Sequence, residues 1–211
     1  MRTLILLTLM ILIILGCSTE GDIKFINRTR HNLYFSVKGN DYILEGATDE
    51  MIAEEKGTSK SISVDTGKEF LFWGADTKKV DIELEGETFL IGDTITTTTV
   101  EVKPNETTRI FTDPTHASVK VINNSEQNVS DLFYFTDYDG TMVYLGSDIP
   151  SGEIFFKQIP FATNDDVFFY TFVVEFSDSL GLEQQFFGGP GDPDAFLEID
   201  EQYLIELLNI P

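Results

Sequence analysis

Cationic side chains and sulfur are scarce in this chain of 211 residues. It has 14 lysines and arginines against 36 aspartates and glutamates, so its formal net charge is −22. Binding to nucleic acid requires a surface rich in lysine and arginine, so the composition argues against a nucleic-acid partner. The only cysteine is Cys17, which excludes an intramolecular disulfide and a multi-cysteine metal site. Two histidines are too few for a histidine-rich metal cluster.

The apolar content nevertheless predicts a folded protein. Hydrophobic residues make up 42% of the chain and aromatic residues 12%, which is far from the composition of a disordered acidic segment. The length is sufficient for one large domain or two small ones.

The N-terminus has the pattern of an export signal. Arg2 supplies a positive charge, and residues 4–15 form an apolar run that only Thr8 interrupts. A run of about a dozen residues is shorter than the roughly 20 that a membrane-spanning helix needs. It matches the hydrophobic region of a signal peptide.

The four residues that end this segment, Ile14-Leu15-Gly16-Cys17, resemble the lipobox of bacterial lipoproteins. The resemblance implies that Cys17 receives a diacylglycerol and fatty-acyl chains such as palmitate, and that residues 1–16 are removed. Residues 17–21 would then be a lipidated tether. Because Ser18 rather than aspartate follows the cysteine, the resemblance implies the outer membrane in a host that has one. The alternative is an ordinary cleaved signal peptide in which the cysteine occurs by chance.

The remainder of the chain contains an internal repeat. Five short matches occur in the same order at offsets of about 85 to 99 residues. The first pairs Ile23–Asn27 with Val119–Asn123, and the last pairs Val100–Val102 with Leu197–Ile199. Asn27 and Asn123 begin Asn-x-Thr/Ser sequences, which we interpret as turns. The repeat predicts one domain over residues 22–113 and a second over residues 114–211.

Both units have the alternation of β-strands. Leu33, Phe35 and Val37 alternate with polar or aromatic residues, and Val80, Ile82 and Leu84 alternate with acids that we expect to face water. Turn residues separate the runs at short intervals. The predicted fold class is therefore all-β, with two tandem antiparallel β-sandwich domains of the immunoglobulin-like or transthyretin-like kind. Residues 45–60 are the best candidate for a helix or loop, inserted in the first domain.

Aromatic residues suggest a ligand platform in the second domain. Tyr170, Phe172, Val174 and Phe176 share the face of one strand with Phe168 and are expected in the core. Phe169, Thr171 and Val173 fall on the other face, which is more apolar than solvent exposure favours. That face is either covered by other parts of the chain or available to a sugar, peptide or protein partner. Trp73 poses the same question in the first domain.

Acidic loops suggest a possible structural calcium site, although no other cofactor is indicated. Asp137 and Asp139 resemble the start of an EF-hand loop, and Asp148 lies at its twelfth position. Met142 occupies the position where the loop needs glycine, so the match is incomplete. The alternative is that these aspartates stabilise turns.

No motif indicates catalysis, since the sequence contains no nucleophile elbow, zinc-binding helix or phosphate-binding loop. We therefore expect a lipid-anchored protein of the cell envelope with a non-catalytic binding or scaffolding role. Its expected partners are the membrane, through the lipid, and a protein or glycan. The alternatives are a carbohydrate- or peptide-binding module that uses the aromatic second domain and, from another class, a hydrolase with an acidic active site.

Overall fold

A computed structural model of the chain describes residues 20–67, 77–91, 96–136, 141–161, 170–177, 183–187 and 197–209. Residues 20–112 contain strands β1 (Glu20–Asn27), β2 (Leu33–Val37), β3 (Asn40–Leu44), β4 (Thr58–Asp65), β5 (Lys78–Gly86), β6 (Thr96–Val102) and β7 (Thr107–Thr112), with one helix, α1 (Asp49–Ala53). Residues 117–207 contain β8 (Ala117–Asn123), β9 (Val129–Thr136), β10 (Met142–Ile149), β11 (Ile154–Ile159), β12 (Tyr170–Phe176), β13 (Glu183–Phe187) and β14 (Gln202–Leu207).

The two halves have the same sheet topology. The first half forms a three-stranded sheet, β4-β1-β7, and a four-stranded sheet, β3-β2-β5-β6. The second half repeats it as β11-β8-β14 and β10-β9-β12-β13. The predicted fold class, all-β with tandem β-sandwich domains, is confirmed. One feature was not predicted: the last strand of each half pairs in parallel with the first, as β7 with β1 and β14 with β8.

The strand positions test the individual sequence matches. Ile23–Asn27 lies in β1 and Val119–Asn123 in β8, which are the central strands of equivalent sheets, so this match is confirmed. The match between Val100–Val102 and Leu197–Ile199 is wrong. The first segment lies in β6, whereas the second lies in the connection that precedes β14. The topological equivalent of β6 is β13, and two apolar residues around a glutamate are too short a pattern to distinguish a strand from a loop.

Each half has its own hydrophobic core, built by the inward face of alternating strands. In the first half Phe25 and Phe35 stack with their ring centroids 3.9 Å apart. In the second half Tyr170, Phe172 and Phe176 are each at most 3% exposed, as predicted for that face of β12, while Phe168 lies outside the described residues. Full burial of a large apolar side chain stabilises the fold by about 1.5–3 kcal/mol. The connection between the two cores runs from the end of β7 to the start of β8 and contains the predicted boundary at residues 113 and 114.

An asparagine ends the first strand of each half and organises the loop that follows. The Oδ1 of Asn27 accepts from the main-chain N and the hydroxyl of Thr29, at 3.1 and 2.9 Å. The Oδ1 of Asn123 accepts from the same two groups of Ser125, at 3.2 and 2.6 Å. In both loops the side-chain amide also donates to the carbonyl four residues later, at 2.8 and 2.9 Å. Both asparagines are fully buried, so these Asn-x-Thr/Ser sequences are turns, as predicted.

In the described part of the chain, helical structure is limited to one short segment. The helix α1 lies within the predicted helix-or-loop region, and its N-cap, Thr48, accepts from the main-chain N of Met51. The end of that region, from Thr58, belongs to β4 instead. Among the described residues, none of the helical structure is both long and apolar enough to cross a bilayer.

Candidate functional site

The two sandwiches meet where the connection after β5 contacts the connection before β8. The main-chain N atoms of Thr115 and His116 both donate to the carbonyl of Thr88, each at 3.0 Å. The hydroxyl of Thr115 bridges to the main chain of Leu90, accepting from its N at 2.9 Å. Hydrogen bonds to main-chain atoms on both sides hold these connections in one relative position.

Glu87 is the centre of the first polar cluster at this junction, and it is only 1% exposed. The ammonium of Lys120 lies 3.0 and 3.1 Å from its two carboxylate oxygens. The hydroxyl of Tyr34 donates to it at 2.9 Å, and the amide of Gln202 donates at 2.8 Å. Burial raises the pKa of Tyr34, and the neighbouring negative charge of Glu87 adds to the effect. The phenol therefore stays a neutral donor, and residues from both sandwiches compensate the buried carboxylate.

Asp200 forms a second cluster on the opposite side of the same contact and is 3% exposed. The hydroxyl of Thr88 donates to its Oδ1 at 2.6 Å, and the main-chain N of Arg30 donates to its Oδ2 at 2.8 Å. The Nε2 of His31 lies 3.0 Å from the main-chain oxygen of Asp200. Asp200 has a φ of 68°, a left-handed conformation that aspartate tolerates better than most residues. We call the contacts around Glu87 and Asp200 the interdomain latch.

The latch explains what these buried acids do. Their oxygens accept from donors of this chain, so the arrangement fixes the two sandwiches against each other. The two histidines of the chain both lie here: His31 contacts Asp200, and the Nδ1 of His116 is 2.9 Å from the Thr115 hydroxyl. Burial lowers the pKa of His116.

A groove of about 470 Å³ opens beside the latch. Its floor lies on the outer face of the four-stranded sheet of the first half, where Tyr34 is in register with Ile43 on one side and Glu85 on the other. One wall comes from the second half: the ring of Phe156 stacks on that of Tyr34, with centroids 5.4 Å apart and planes inclined by 12°. Both sandwiches therefore contribute to the groove.

The groove is acidic. Asp41 and Glu83 flank Ser36 in register on neighbouring strands, and both carboxylates are exposed. The half-buried Glu85 lies two residues further along β5. Among the described residues that line the groove, none is a lysine or arginine.

Beyond Phe156 the surface becomes an apolar strip on the outer face of the three-stranded sheet of the second half. Phe156 and Leu204 are both in register with Lys120, and Ile154 is in register with Ile122. Ile154 is 58% exposed and Leu204 is 55% exposed. The aromatic wall of the groove thus continues into exposed aliphatic side chains.

The predicted aromatic platform is not an accessible surface where the structure describes it. Val173 is 1% exposed, so its assignment to a ligand platform is corrected. It lies on a central strand, in register with the bulky Phe133 of β9, and strand alternation alone does not show whether such a face is covered. Thr171 is half-buried. Phe169 and Trp73 lie outside the described residues.

The other predicted site residues lie mostly outside the described part of the chain, including Cys17, Asp137 and Asp139. Asp148 lies in β10, is exposed, and its Oδ2 accepts from the Ser147 hydroxyl at 3.2 Å. Across the described residues, no group of three or more histidine, cysteine or acidic side chains is arranged to hold a metal ion. The calcium site stays a prediction.

One signal for the groove was present in the sequence. In β2, Tyr34 lies between the core-facing Leu33 and Phe35, so this aromatic side chain is on the outward face of the strand, where a polar residue is usual. Glu87 had no such signal, because it continues the alternation of Asp81, Glu83 and Glu85, of which Asp81 and Glu83 face water as predicted. Only the contact with the second sandwich buries it.

Comparisons with known proteins do not assign a family. No family model and no curated protein matches the chain. Among solved structures, the tip fimbrial protein Mfa3 from Porphyromonas gingivalis is similar over 91% of this chain and 96% of its own, with 9% identity and a TM-score of 0.35. A variant of the major pilin from Streptococcus pyogenes is similar over 92% of this chain and 98% of its own, with 10% identity and a TM-score of 0.22.

The Bacillus anthracis TIE protein is similar over 90% of this chain, with 10% identity and a TM-score of 0.28. This chain spans 33% of the length of that protein.

Proposed function

We propose that this chain is an exported, lipid-anchored protein of the cell envelope that binds a partner without catalysis, and that the groove between Tyr34 and Phe156 is its binding site. The observation that carries the binding role is the stacked pair of rings, one from each sandwich, in an open groove. Concave surfaces with aromatic side chains and a few polar groups are typical of binding sites.

The latch supports this proposal because it makes the groove rigid before a partner arrives. Glu87 accepts from Tyr34 on the floor of the groove and from Lys120, the strand neighbour of Phe156 in the wall. The two halves of the groove are thereby held together by a buried, fully paired carboxylate. A site whose geometry is fixed in advance loses less conformational entropy when it binds.

The lipid anchor rests on Cys17 and its resemblance to a lipobox. Each buried methylene contributes about 0.8 kcal/mol, and two or more acyl chains attach a protein stably to a bilayer. The net charge of −22 is repelled by anionic headgroups, so the folded part would stand away from the membrane surface. The outer membrane is the expected location in a host with two membranes.

The anchor is tested with Cys17→Ser and, as a matched control, Ser18→Ala. We expect the first variant to keep its signal peptide and to lose the lipid mass of the mature protein. The second variant should mature normally and stay in the membrane fraction. Mass spectrometry of the purified proteins and membrane fractionation are the measurements, and an unlipidated wild-type protein would overturn this part of the proposal.

The groove is tested with Phe156→Ala in the full-length chain, purified in a non-ionic detergent. Peptide and oligosaccharide probes are titrated by calorimetry, and any probe that binds the wild type should bind the variant at least about tenfold more weakly, since one aromatic face is lost. Tyr144→Ala is the control, because Tyr144 is an aromatic on another sheet, 55% exposed and away from the groove lining. Equal binding by both variants would reject the groove as the site.

A further inference from the structure

We propose that the occupant of the groove is an extended peptide segment with basic side chains at alternate positions, one that belongs to a partner protein. This inference rests on the proposed binding function and specifies its ligand. It combines three features of the groove: its uncompensated acids, their spacing along β5, and the aromatic pair next to them.

Charge complementarity identifies a cationic partner. Asp41, Glu83 and Glu85 line the groove, and none of the described lining residues carries a positive charge. By contrast, the buried carboxylate of Glu87 nearby is fully paired with donors of the chain. The negative potential of the groove therefore favours a cationic ligand, and anionic partners are repelled from it.

The spacing of the acids fits an extended backbone. Glu83 and Glu85 are two residues apart on the same face of β5, which places their Cα atoms about 6.5–7 Å apart. An extended peptide repeats its own side chains on one face at the same interval. Lysine or arginine side chains at positions i and i+2 of such a peptide can each approach one carboxylate. Asp41 lies two strands away, about 10 Å across the sheet, and forms the opposite rim.

The stacked rings accommodate the rest of such a segment. The aliphatic stem of lysine or arginine packs on apolar surface while its charged end stays near water and carboxylates. Aromatic faces also attract cations directly. Ile43, which is 59% exposed, offers further apolar surface on the same face.

Other occupants fit less well. A second copy of this chain would bring another net charge of −22 to an acidic surface. A neutral glycan could stack on Phe156 and Tyr34, yet it would leave three carboxylates without a counter-charge. These occupants are distinguished as outcomes of the experiment.

The experiment uses the full-length chain in a non-ionic detergent and three probes. The first is a blocked heptapeptide in which lysine alternates with leucine, the second is the same peptide with glutamine in place of lysine, and the third is the neutral oligosaccharide chitotriose. Binding is measured by titration calorimetry at 20 and 200 mM NaCl. Salt weakens contacts between exposed charges, because the screening length shortens to below about 10 Å above 0.1 M.

The test variant carries Asp41→Asn, Glu83→Gln and Glu85→Gln together. The control variant removes the same number of charges from exposed acids elsewhere, as Glu50→Gln, Glu126→Gln and Glu153→Gln. The side chains changed in the two triple variants are exposed, except for the half-buried Glu85, and thermal melting confirms that both variants are folded.

We expect the lysine peptide to bind the wild type and the control variant with similar affinity. It should bind the groove variant roughly 3- to 100-fold more weakly, which is the summed range for three exposed ion pairs. The glutamine peptide should bind no more strongly than the lysine peptide binds the groove variant.

Three results would overturn the inference. Equal losses in both triple variants would mean that net charge alone attracts the peptide. Binding of chitotriose without the lysine peptide would leave the groove as a binding site and assign it to a glycan. Binding of the lysine peptide that is insensitive to Phe156→Ala and to the groove variant would reject the groove itself, and the proposed function with it.

Discussion

Replacement of Lys120 by methionine is the sharpest test of the interdomain latch. Methionine has a similar length and keeps the apolar packing of the side chain, but it removes the ammonium that lies 3.0 and 3.1 Å from the oxygens of Glu87. Glu87, 1% exposed, would then be a buried carboxylate with only the neutral donors of Tyr34 and Gln202.

The expected cost follows from this burial. Breaking a buried ion pair by removing one partner destabilises a protein by about 3–5 kcal/mol, because an uncompensated charge stays in the interior. Two neutral hydrogen bonds to Glu87 remain, and the side chain of Lys120 is 19% exposed, so we take the lower end, about 3 kcal/mol. For a chain of this size that corresponds to a fall in Tm of roughly 6–12 °C.

Differential scanning calorimetry and urea unfolding of the full-length chain are the assays, and Lys103→Met is the matched control. Lys103 forms an ion pair with Glu106 at 3.9 Å, but the two side chains are 55% and 63% exposed. An exposed pair of this kind contributes at most about 1 kcal/mol, so the control should melt close to the wild type.

The double variant Lys120→Met with Glu87→Gln separates the cost of an unpaired buried charge from the cost of replacing the Lys120 side chain. Because it removes the buried charge together with its partner, it should recover most of the stability that Lys120→Met loses. A loss below about 1 kcal/mol in Lys120→Met, or an equal loss in the single and double variants, would refute the claim that a buried charge pair holds the sandwiches together.

Two further predictions concern the loop after β8 and the junction. Asn123→Ala should destabilise the second sandwich by about 2–3 kcal/mol, since it removes the acceptor of the Ser125 main-chain N–H and a donor to the buried Ile149 carbonyl. The exposed neighbour Asn124→Ala should cost at most about 1 kcal/mol, and equal urea midpoints for the two variants would contradict this. Because burial lowers the pKa of His116, the folded state binds fewer protons than the unfolded state, so stability is lost as the pH falls through the unfolded-state value of about 6.5. His116→Gln should reduce the difference in urea midpoint between pH 7.5 and pH 5.5, and an unchanged difference would show that another group controls it.

Much of the fold could be predicted because strand alternation is a local property. Leu33 and Phe35 face the core and Tyr34 faces outward, as their period of two requires. The repeated Asn-x-Thr/Ser turns could be predicted for the same reason, since Asn27 and Asn123 form most of their hydrogen bonds with atoms within a few residues. The match that failed, between Val100–Val102 and Leu197–Ile199, joined short segments without a turn residue of this kind.

The candidate site depended on contacts that no local pattern encodes. The period of two places Val173 on the outer face of its strand, as it places the acids of β5 on theirs. Only the packing of distant segments shows that Val173 is buried. Glu87 continues a run of exposed acids, yet Lys120 and Gln202, from strands in the other half, surround it. The groove exists because Phe156 meets Tyr34, 122 residues earlier in the chain.

The sequence by itself therefore determined the β-class, the tandem repeat and the acidic composition, and it predicts the export signal with its lipobox-like end. These depend on composition, on a period of two and on short contiguous motifs. Tertiary structure alone decided the parallel closing strand of each half, the interdomain latch and the groove. Strand pairing and interdomain contact join residues far apart in the chain, and their stability depends on burial and charge compensation that arise only when both halves are folded.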